Sequence, residues 1–137
     1  MGFSVGEGTV IMLFTRLQRS EGYLRADALV AVKKLLPDSA EGHLANVCSC
    51  ADEIRRDSHW DWSTPLHFIN TPAFKCNYEY CRDCHNSAGH ENVCATAAIY
   101  NYTEQLKSFN EDSVLVSKYD VSEALMFLSH IMGDMHQ

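Results

Sequence analysis

The chain has 137 residues, a length that allows at most one domain. Hydrophobic residues make up 46% of it, which is enough for a packed core and argues against a disordered chain. The formal net charge of -7 argues against nucleic-acid binding by bulk electrostatics, although not against contact with phosphate through bound cations.

The first twenty residues show no clean periodicity, so we expect an irregular amino end over residues 1–20. Their apolar run, Val10–Phe14, is shorter than the apolar core of a signal peptide, and no basic residue precedes it. No stretch of the chain approaches the ~20 apolar residues that a membrane span needs. The sequence therefore shows no recognisable signal peptide and predicts no association with a membrane.

Two helices are predicted next. Leucines and valines recur on one face over residues 26–36, and Pro37 ends that helix. A second apolar stripe predicts a helix over residues 40–56, with Ser39 as its N-cap. Asp52 lies beside this stripe, where a carboxylate is ordinarily a solvent-facing group at the helix edge.

Residues 58–94 form a long connection that is rich in Trp, Pro, Asn and Asp. A loop of this length is usually functional or held by cross-links. Two local disulfides are the preferred interpretation, because Asn101 begins an N-glycosylation motif that is typical of secreted proteins. The sequence does not choose among the three possible pairings of its four clustered cysteines, which are Cys76, Cys81, Cys84 and Cys94.

Two other interpretations of the cysteine cluster stay open. Thiolate and imidazole suit tetrahedral zinc, and a structural zinc site would use Cys81, Cys84, His90 and Cys94. The run Cys81–His85 also matches the C-x-x-C-H pattern of haem c attachment. Its polar neighbours do not suit a haem pocket, which makes the haem interpretation the weaker of the two.

The remaining periodicity predicts a helix over residues 93–109 and a short turn or linker over residues 114–119. A final helix is predicted to start at Ser122, which serves as its N-cap, and to continue to the last residues. Helices thus account for most of the pattern, and the predicted fold class is mainly α.

The final helix carries the best candidate for a metal site. His130 and Asp134 lie one turn apart, so both side chains share one face and can bind one divalent metal. By itself this spacing is a weak signal. His67 is a further candidate, because it lies in a tight apolar loop between Pro65 and Phe68.

Five motifs then occur in a fixed order along the chain. They are Cys48–Arg55, Trp62–Pro72, Cys76–His85, Ala98–Thr103 and Glu123–Gln137. In this order they closely resemble the zinc-dependent, single-strand-preferring nucleases of plants and fungi (the nuclease S/P type), in their plant bifunctional form. The resemblance extends from about Gly22 to the last residue.

This resemblance implies a helical fold like that of phospholipase C, and a secreted, glycosylated, disulfide-bonded protein. It implies hydrolysis of phosphodiester bonds in single-stranded DNA and RNA to 5′-nucleotides, together with removal of 3′-phosphates from nucleotides. The chemistry depends on three zinc ions, which supply hydroxide near neutral pH and stabilise the phosphate. The implied partner is single-stranded nucleic acid, and no protein partner is implied.

The resemblance also assigns roles to individual residues. Asp52 would orient the attacking water, and Asp134 would reach toward a second metal. Phe68 and Asn70 resemble the pair that stacks on a base and hydrogen-bonds its edge. The expected ligands of one complete zinc site are Asp52, His67, His130 and Asp134.

Some features depart from the family pattern. Residues 1–20 lack the Trp-Gly-x-x-Gly-His opening whose amine and His bind another zinc, and the later ligands beyond Gln137 are absent. We therefore expect at most one complete zinc site, in a chain truncated at both ends. Cys50 stands where the family usually has Trp, which predicts a free thiol, and Cys48 is expected to lack its usual partner.

The predicted organisation is an amino end over residues 1–20 that does not belong to the family, followed by a partial zinc-dependent nuclease domain over residues 21–137. The predicted function is metal-dependent endonuclease. The alternative is a non-catalytic, zinc-binding remnant of such an enzyme.

Overall fold

The computed structural model describes residues 19–47, 49–109 and 118–136. Most of the predicted irregular amino end lies outside these residues, as do Cys48 and most of the turn predicted over 114–119. Five α-helices lie wholly within these ranges: α1 (Ala26–Leu35), α2 (Cys50–Ile54), α3 (Tyr80–Asp83), α4 (Ala95–Lys107) and α5 (Val121–Asp134). Three 3-10 helices lie between these, over Asp38–Ala40, Leu44–Val47 and Ser58–His67.

The described residues contain no β-strand, and the isolated bridge among them joins His85 and Glu91. The predicted mainly α class is therefore confirmed. Among the same residues, no helix combines the length and the apolar character that crossing a lipid bilayer requires.

The main core lies between α4 and α5. Small side chains at Ala98 and Ala124 let the two helix backbones approach, and both are almost completely buried. Phe127 on α5 fills the centre, with its ring centroid 5.3 Å from that of Tyr102 and 6.0 Å from that of Trp60. This packing fixes α5 against the 3-10 helix Ser58–His67, and so it positions the residues at the end of each.

A second core cluster joins the amino-terminal part to α5. Leu36, Leu44, Val47 and Leu125 are buried together, with alanines filling the gaps. The hydroxyl of Ser122 also donates to the carbonyl of Leu35, which ties the end of α1 to the start of α5. The helix predicted over 26–36 is thereby confirmed.

The helix predicted over residues 40–56 is wrong. Glu41 and Gly42 have positive φ angles of 50° and 75°, a left-handed conformation that ends a helical turn. The stretch is instead built from two 3-10 turns and the five-residue α2, which begins with Ser49 as N-cap. Ser39 therefore lies within a 3-10 turn and does not cap a long helix.

Two other predicted boundaries change. The connection over 58–94 begins with the ten-residue 3-10 helix Ser58–His67 and contains α3, so it is less irregular than its composition indicates.

The cap of α5 is Asp120, whose carboxylate accepts from the backbone N–H groups of Ser122 and Glu123 at 3.0 Å. Ser122 uses its hydroxyl for α1 instead. The helix predicted over 93–109 is confirmed as α4.

Candidate metal centre

Three elements bring four polar side chains to one point. Asp52 lies on α2, His67 is the last residue of the long 3-10 helix, and His130 and Asp134 lie on α5. The i,i+4 spacing puts the last two on one face of α5. The stacking of Phe127 on Trp60 holds that face toward the 3-10 helix. All four predicted ligands therefore lie together.

The donor atoms are separated by short distances. Nδ1 of His67 is 2.9 Å from Oδ2 of Asp134 and 3.8 Å from Oδ1 of Asp52. Nε2 of His130 is 3.3 Å from Oδ2 of Asp134 and 3.6 Å from Oδ2 of Asp52. Four donors placed about 2.0–2.1 Å from a tetrahedral zinc would lie about 3.3 Å from one another. These four separations lie on both sides of that value, and one donor atom each from Asp52, His67 and His130 lie within 4.8 Å of one another. These three residues can therefore hold a metal ion, and Asp134 contacts both histidines beside them.

Burial strengthens this fit. The side chains of His67 and His130 are 3% and 1% exposed, and those of Asp52 and Asp134 are 13% and 19% exposed. The second ring nitrogen of His67, Nε2, is buried without a hydrogen-bond partner among the described residues. Nδ1 of His67 is therefore the ring nitrogen that faces the two carboxylates and would bind a metal ion.

The electrostatics keep both carboxyl groups ionised. Burial raises the pKa of Asp52, but hydrogen bonding to His130 and the charges of His130, Arg55 and His67 outweigh burial and lower it overall. Burial likewise raises the pKa of Asp134, and hydrogen bonds to His130 and His67 reverse the effect. Two carboxylates and two imidazoles are a donor set that suits a divalent transition metal.

A groove contains the two predicted base-binding residues. Phe68 and Asn70 follow the 3-10 helix directly and line a cavity of 690 Å³. Other lining residues come from that helix, such as Trp62, and from the loop over residues 84–94, such as Asn86 and Val93. Phe68 and Trp62 are 53% and 51% exposed. The groove thus offers open aromatic surface one residue away from the candidate ligand His67.

Comparison with known proteins agrees with this geometry. The family model described as S1/P1 nuclease matches residues 20–137.

The chain belongs to the S1/P1 nuclease family.

Three relatives illustrate the similarity. Endonuclease 5 of Arabidopsis thaliana is 51% identical over 125 residues, which cover 90% of this chain and 42% of that protein. Nuclease P1 of Penicillium citrinum is 38% identical over 121 residues, 86% of this chain and 41% of the relative. Nuclease S1 of Aspergillus oryzae is 38% identical over 109 residues, 77% of this chain and 34% of the relative. The chain thus spans about two fifths of the length of these S1/P1 nucleases.

Arg55, which lies next to the four clustered side chains, is not among the predicted site residues. The guanidinium of Arg55 lies 3.1 Å from Oδ1 of Asp52, and its side chain is 20% exposed. Arg55 follows Asp52 at the i,i+3 spacing, which puts the two side chains on one face of a helix. That spacing is visible in the sequence, but many ion pairs on protein surfaces share it, so it does not single out Arg55 by itself.

The cysteines form one disulfide among the described residues, whereas two were predicted. Cys84, which follows α3, and Cys94, which precedes α4, form a disulfide, and their Cα atoms are 5.1 Å apart. Cys76 and Cys81 are exposed free thiols, so a second pair does not form among the described residues. Bonding of Cys84 to Cys94 also removes two thiolates from the alternative structural zinc site, and one from the haem pattern. Cys50 is a free thiol, as predicted.

The predicted glycosylation residue is on the protein surface. Asn101 is exposed on α4, so its side-chain amide is accessible. The predicted site residues are thus divided between a cluster of four polar side chains and an open groove, and Asn101 belongs to neither.

Proposed function

We propose that this chain forms the metal-binding and base-binding part of a zinc-dependent nuclease. The substrates are single-stranded DNA and RNA, the products are 5′-nucleotides, and the same site removes 3′-phosphates from nucleotides. One observation carries the proposal: a buried cluster of four metal-ligand donors adjoins an exposed aromatic groove.

The ligands proposed for zinc are Asp52, His67, His130 and Asp134. When bound, zinc lowers the pKa of water and polarises the phosphate for attack. Oδ1 of Asp52 lies near both Arg55 and His67, whereas Oδ2 faces His130. We assign to Asp52 the orientation of the attacking water. Arg55 holds this carboxylate in place and adds a positive charge that favours an approaching phosphate.

The groove accounts for a preference for single strands. A base that stacks on Phe68 gains about 1–3 kcal/mol, and any base can do so. Among the residues that line the groove there is no Lys or Arg, and Asp61 contributes a negative charge. The groove therefore suits an uncharged base better than a phosphate. A base in a duplex is already stacked, and removing it costs a few kcal/mol.

The proposed setting is the secretory pathway. A disulfide between Cys84 and Cys94 persists in oxidising compartments, and the amide of Asn101 is exposed and can carry a glycan. Both features favour a secreted glycoprotein, and an intact mass of the protein purified from a eukaryotic host would show the glycan.

The deciding experiment measures zinc content and cleavage of a single-stranded oligonucleotide by the same preparation. We expect cleavage that a chelator abolishes and zinc restores. Asp52→Asn should lower turnover by at least a hundredfold, whereas Asp38→Asn, a matched change of an exposed carboxylate, should leave it unchanged. Bound zinc without chelator-sensitive cleavage would favour the non-catalytic remnant. Absence of both would refute the proposal.

A further inference from the structure

The two groove residues Phe68 and Asn70 lie in a segment without regular secondary structure. Backbone hydrogen bonds to residues outside this segment hold it in place. The N–H of Ala95 donates to the carbonyl of Phe68 at 2.9 Å, and the N–H of Asn70 donates to the carbonyl of Asp83 at 3.2 Å. The side-chain amide of Asn70 donates to the carbonyl of His85 at 2.6 Å. This last bond also fixes which way the amide of Asn70 faces, leaving its Oδ1 as an acceptor.

All three partners border one disulfide. Asp83 and His85 flank Cys84, and Ala95 follows Cys94, so the bond between the cysteines joins the two anchoring points. Cys84 and Cys94 are 3% and 0% exposed, which places the cross-link inside the protein. The loop that it closes also lines the groove, through Asn86, Ser87 and Val93.

Asp83 fixes the first anchoring point. Its side chain is completely buried, and it accepts from the backbone N–H of Glu79 at 2.8 Å and from Nε of Arg82 at 2.6 Å. These bonds hold the end of α3, whose last carbonyl accepts from Asn70. None of the four proposed zinc ligands lies between Cys84 and Cys94.

We propose that Asp83 and the Cys84–Cys94 disulfide are positioning residues for the substrate base. They hold Phe68 and Asn70 in the geometry that receives a nucleobase, and they take no part in binding the metal. The inference rests on the proposed function and deepens it. It divides the site into a metal cluster and a base groove, so that a substitution can impair one and leave the other intact.

The principal test compares two double variants. Cys84→Ser with Cys94→Ser opens the disulfide, and Cys76→Ser with Cys81→Ser is the matched control, because it removes two exposed free thiols from the same connection. Each is loaded with zinc and assayed on the dinucleotide thymidylyl-thymidine and on methyl p-nitrophenyl phosphate, a diester without a base. Zinc content is measured for both.

For the opened disulfide we expect a rise of about tenfold in KM for the dinucleotide, in keeping with the loss of one stacking contact. The kcat, the rate on the base-free diester and the zinc content should stay within twofold. Backbone amides of residues 68–70 should exchange with deuterium at least tenfold faster. The control should match the unsubstituted protein in every measurement. Equal KM values in the two double variants, or parallel losses on both substrates, would overturn the inference.

A second variant covers the case in which the opened disulfide does not fold. Ala95 is the first residue of α4, where proline is tolerated, so Ala95→Pro deletes the N–H that binds Phe68 while keeping the helix. Ala95→Val adds similar bulk and retains the N–H. We expect faster exchange at residues 68–70 and weaker binding of thymidine monophosphate for the proline variant alone.

These two readouts need no turnover. If the zinc-loaded protein cleaves neither substrate, the proposed function fails, but exchange and nucleotide binding still decide the positioning role. Unchanged exchange and binding in Ala95→Pro relative to Ala95→Val would refute that role directly.

Discussion

The two carboxylates of the cluster have different surroundings, which argues for different roles. Oδ2 of Asp134 is the closest oxygen to both imidazoles, at 2.9 and 3.3 Å. Asp52 lies farther from both rings, at 3.8 and 3.6 Å, and it alone contacts the guanidinium of Arg55. Asp134 is therefore oriented by the ligand set itself. Asp52 is oriented in part by Arg55, which lies outside that set, and this suits its proposed role of orienting the attacking water.

Asp83 predicts a specific pH dependence of stability. Hydrogen bonding from Arg82 is the largest cause that lowers the pKa of this carboxyl below its ordinary value of 3.8, with the N–H of Glu79 adding to it against the opposing effect of burial. A carboxyl whose pKa is lower in the folded state stabilises the protein above the unfolded pKa, and this contribution is lost as the pH falls through the folded pKa. Asp83→Asn should therefore destabilise the protein at pH 6, and this destabilisation should become smaller as the pH falls below 3.8, the ordinary pKa of the carboxyl group.

Urea denaturation at several pH values measures this difference. Asp27→Asn is a suitable control, because its exposed carboxylate pairs with Arg25 on the surface and should have little effect on the free energy of unfolding. A constant difference between Asp83→Asn and the unsubstituted protein from pH 6 to pH 3 would contradict the assignment.

At the scale of elements, periodicity predicted helices well where one apolar face packs against one neighbour. Helices α1 and α4 each pack such a face against α5, and their predicted positions are confirmed. The stretch over 40–56 has the same periodicity, but its backbone reverses at Glu41 and Gly42. The glycine is visible in the sequence. The left-handed backbone conformation of Glu41 instead depends on how the turn packs against α5, and the spacing of apolar residues does not show this.

The cap of α5 gives an element-scale prediction. Asp120 accepts two backbone N–H groups of the first turn, whereas Ser122, the cap predicted from sequence, donates to Leu35. Asp120→Ala should lower the free energy of unfolding by about 1 kcal/mol through loss of the cap. Asp120→Asn should retain most of that stability, because an asparagine oxygen caps equally well. Similar losses in both variants, measured by urea denaturation, would show that charge and not capping is responsible.

At the scale of the whole molecule, the candidate site depends on residues that are far apart along the chain. Asp52 was predicted as a ligand from the ordered motifs alone, whereas His67 was also a candidate because of its place in a tight apolar loop. The sequence did not show the packing that brings the separate elements together. Phe127 packs on Trp60 and Tyr102, and this brings α5 next to the 3-10 helix that ends at His67. Arg55 was missed for a simpler reason, since an i,i+3 ion pair on a short helix resembles any surface pair.

This architecture predicts that zinc stabilises the fold as a unit. The donors come from α2, the long 3-10 helix and α5, so a bound ion cross-links three elements that are separate in the unfolded chain. Zinc at about 100 times its dissociation constant should add about 2.7 kcal/mol, which for 137 residues corresponds to a rise of about 9 °C in Tm. Calorimetry with and without zinc measures the shift. His130→Ala should abolish it, because a missing donor leaves the site open. His59→Ala, which changes a histidine on the surface, should preserve it. A shift of equal size in both variants would mean that zinc binds elsewhere on the protein, and the four-donor cluster would lose its assigned role.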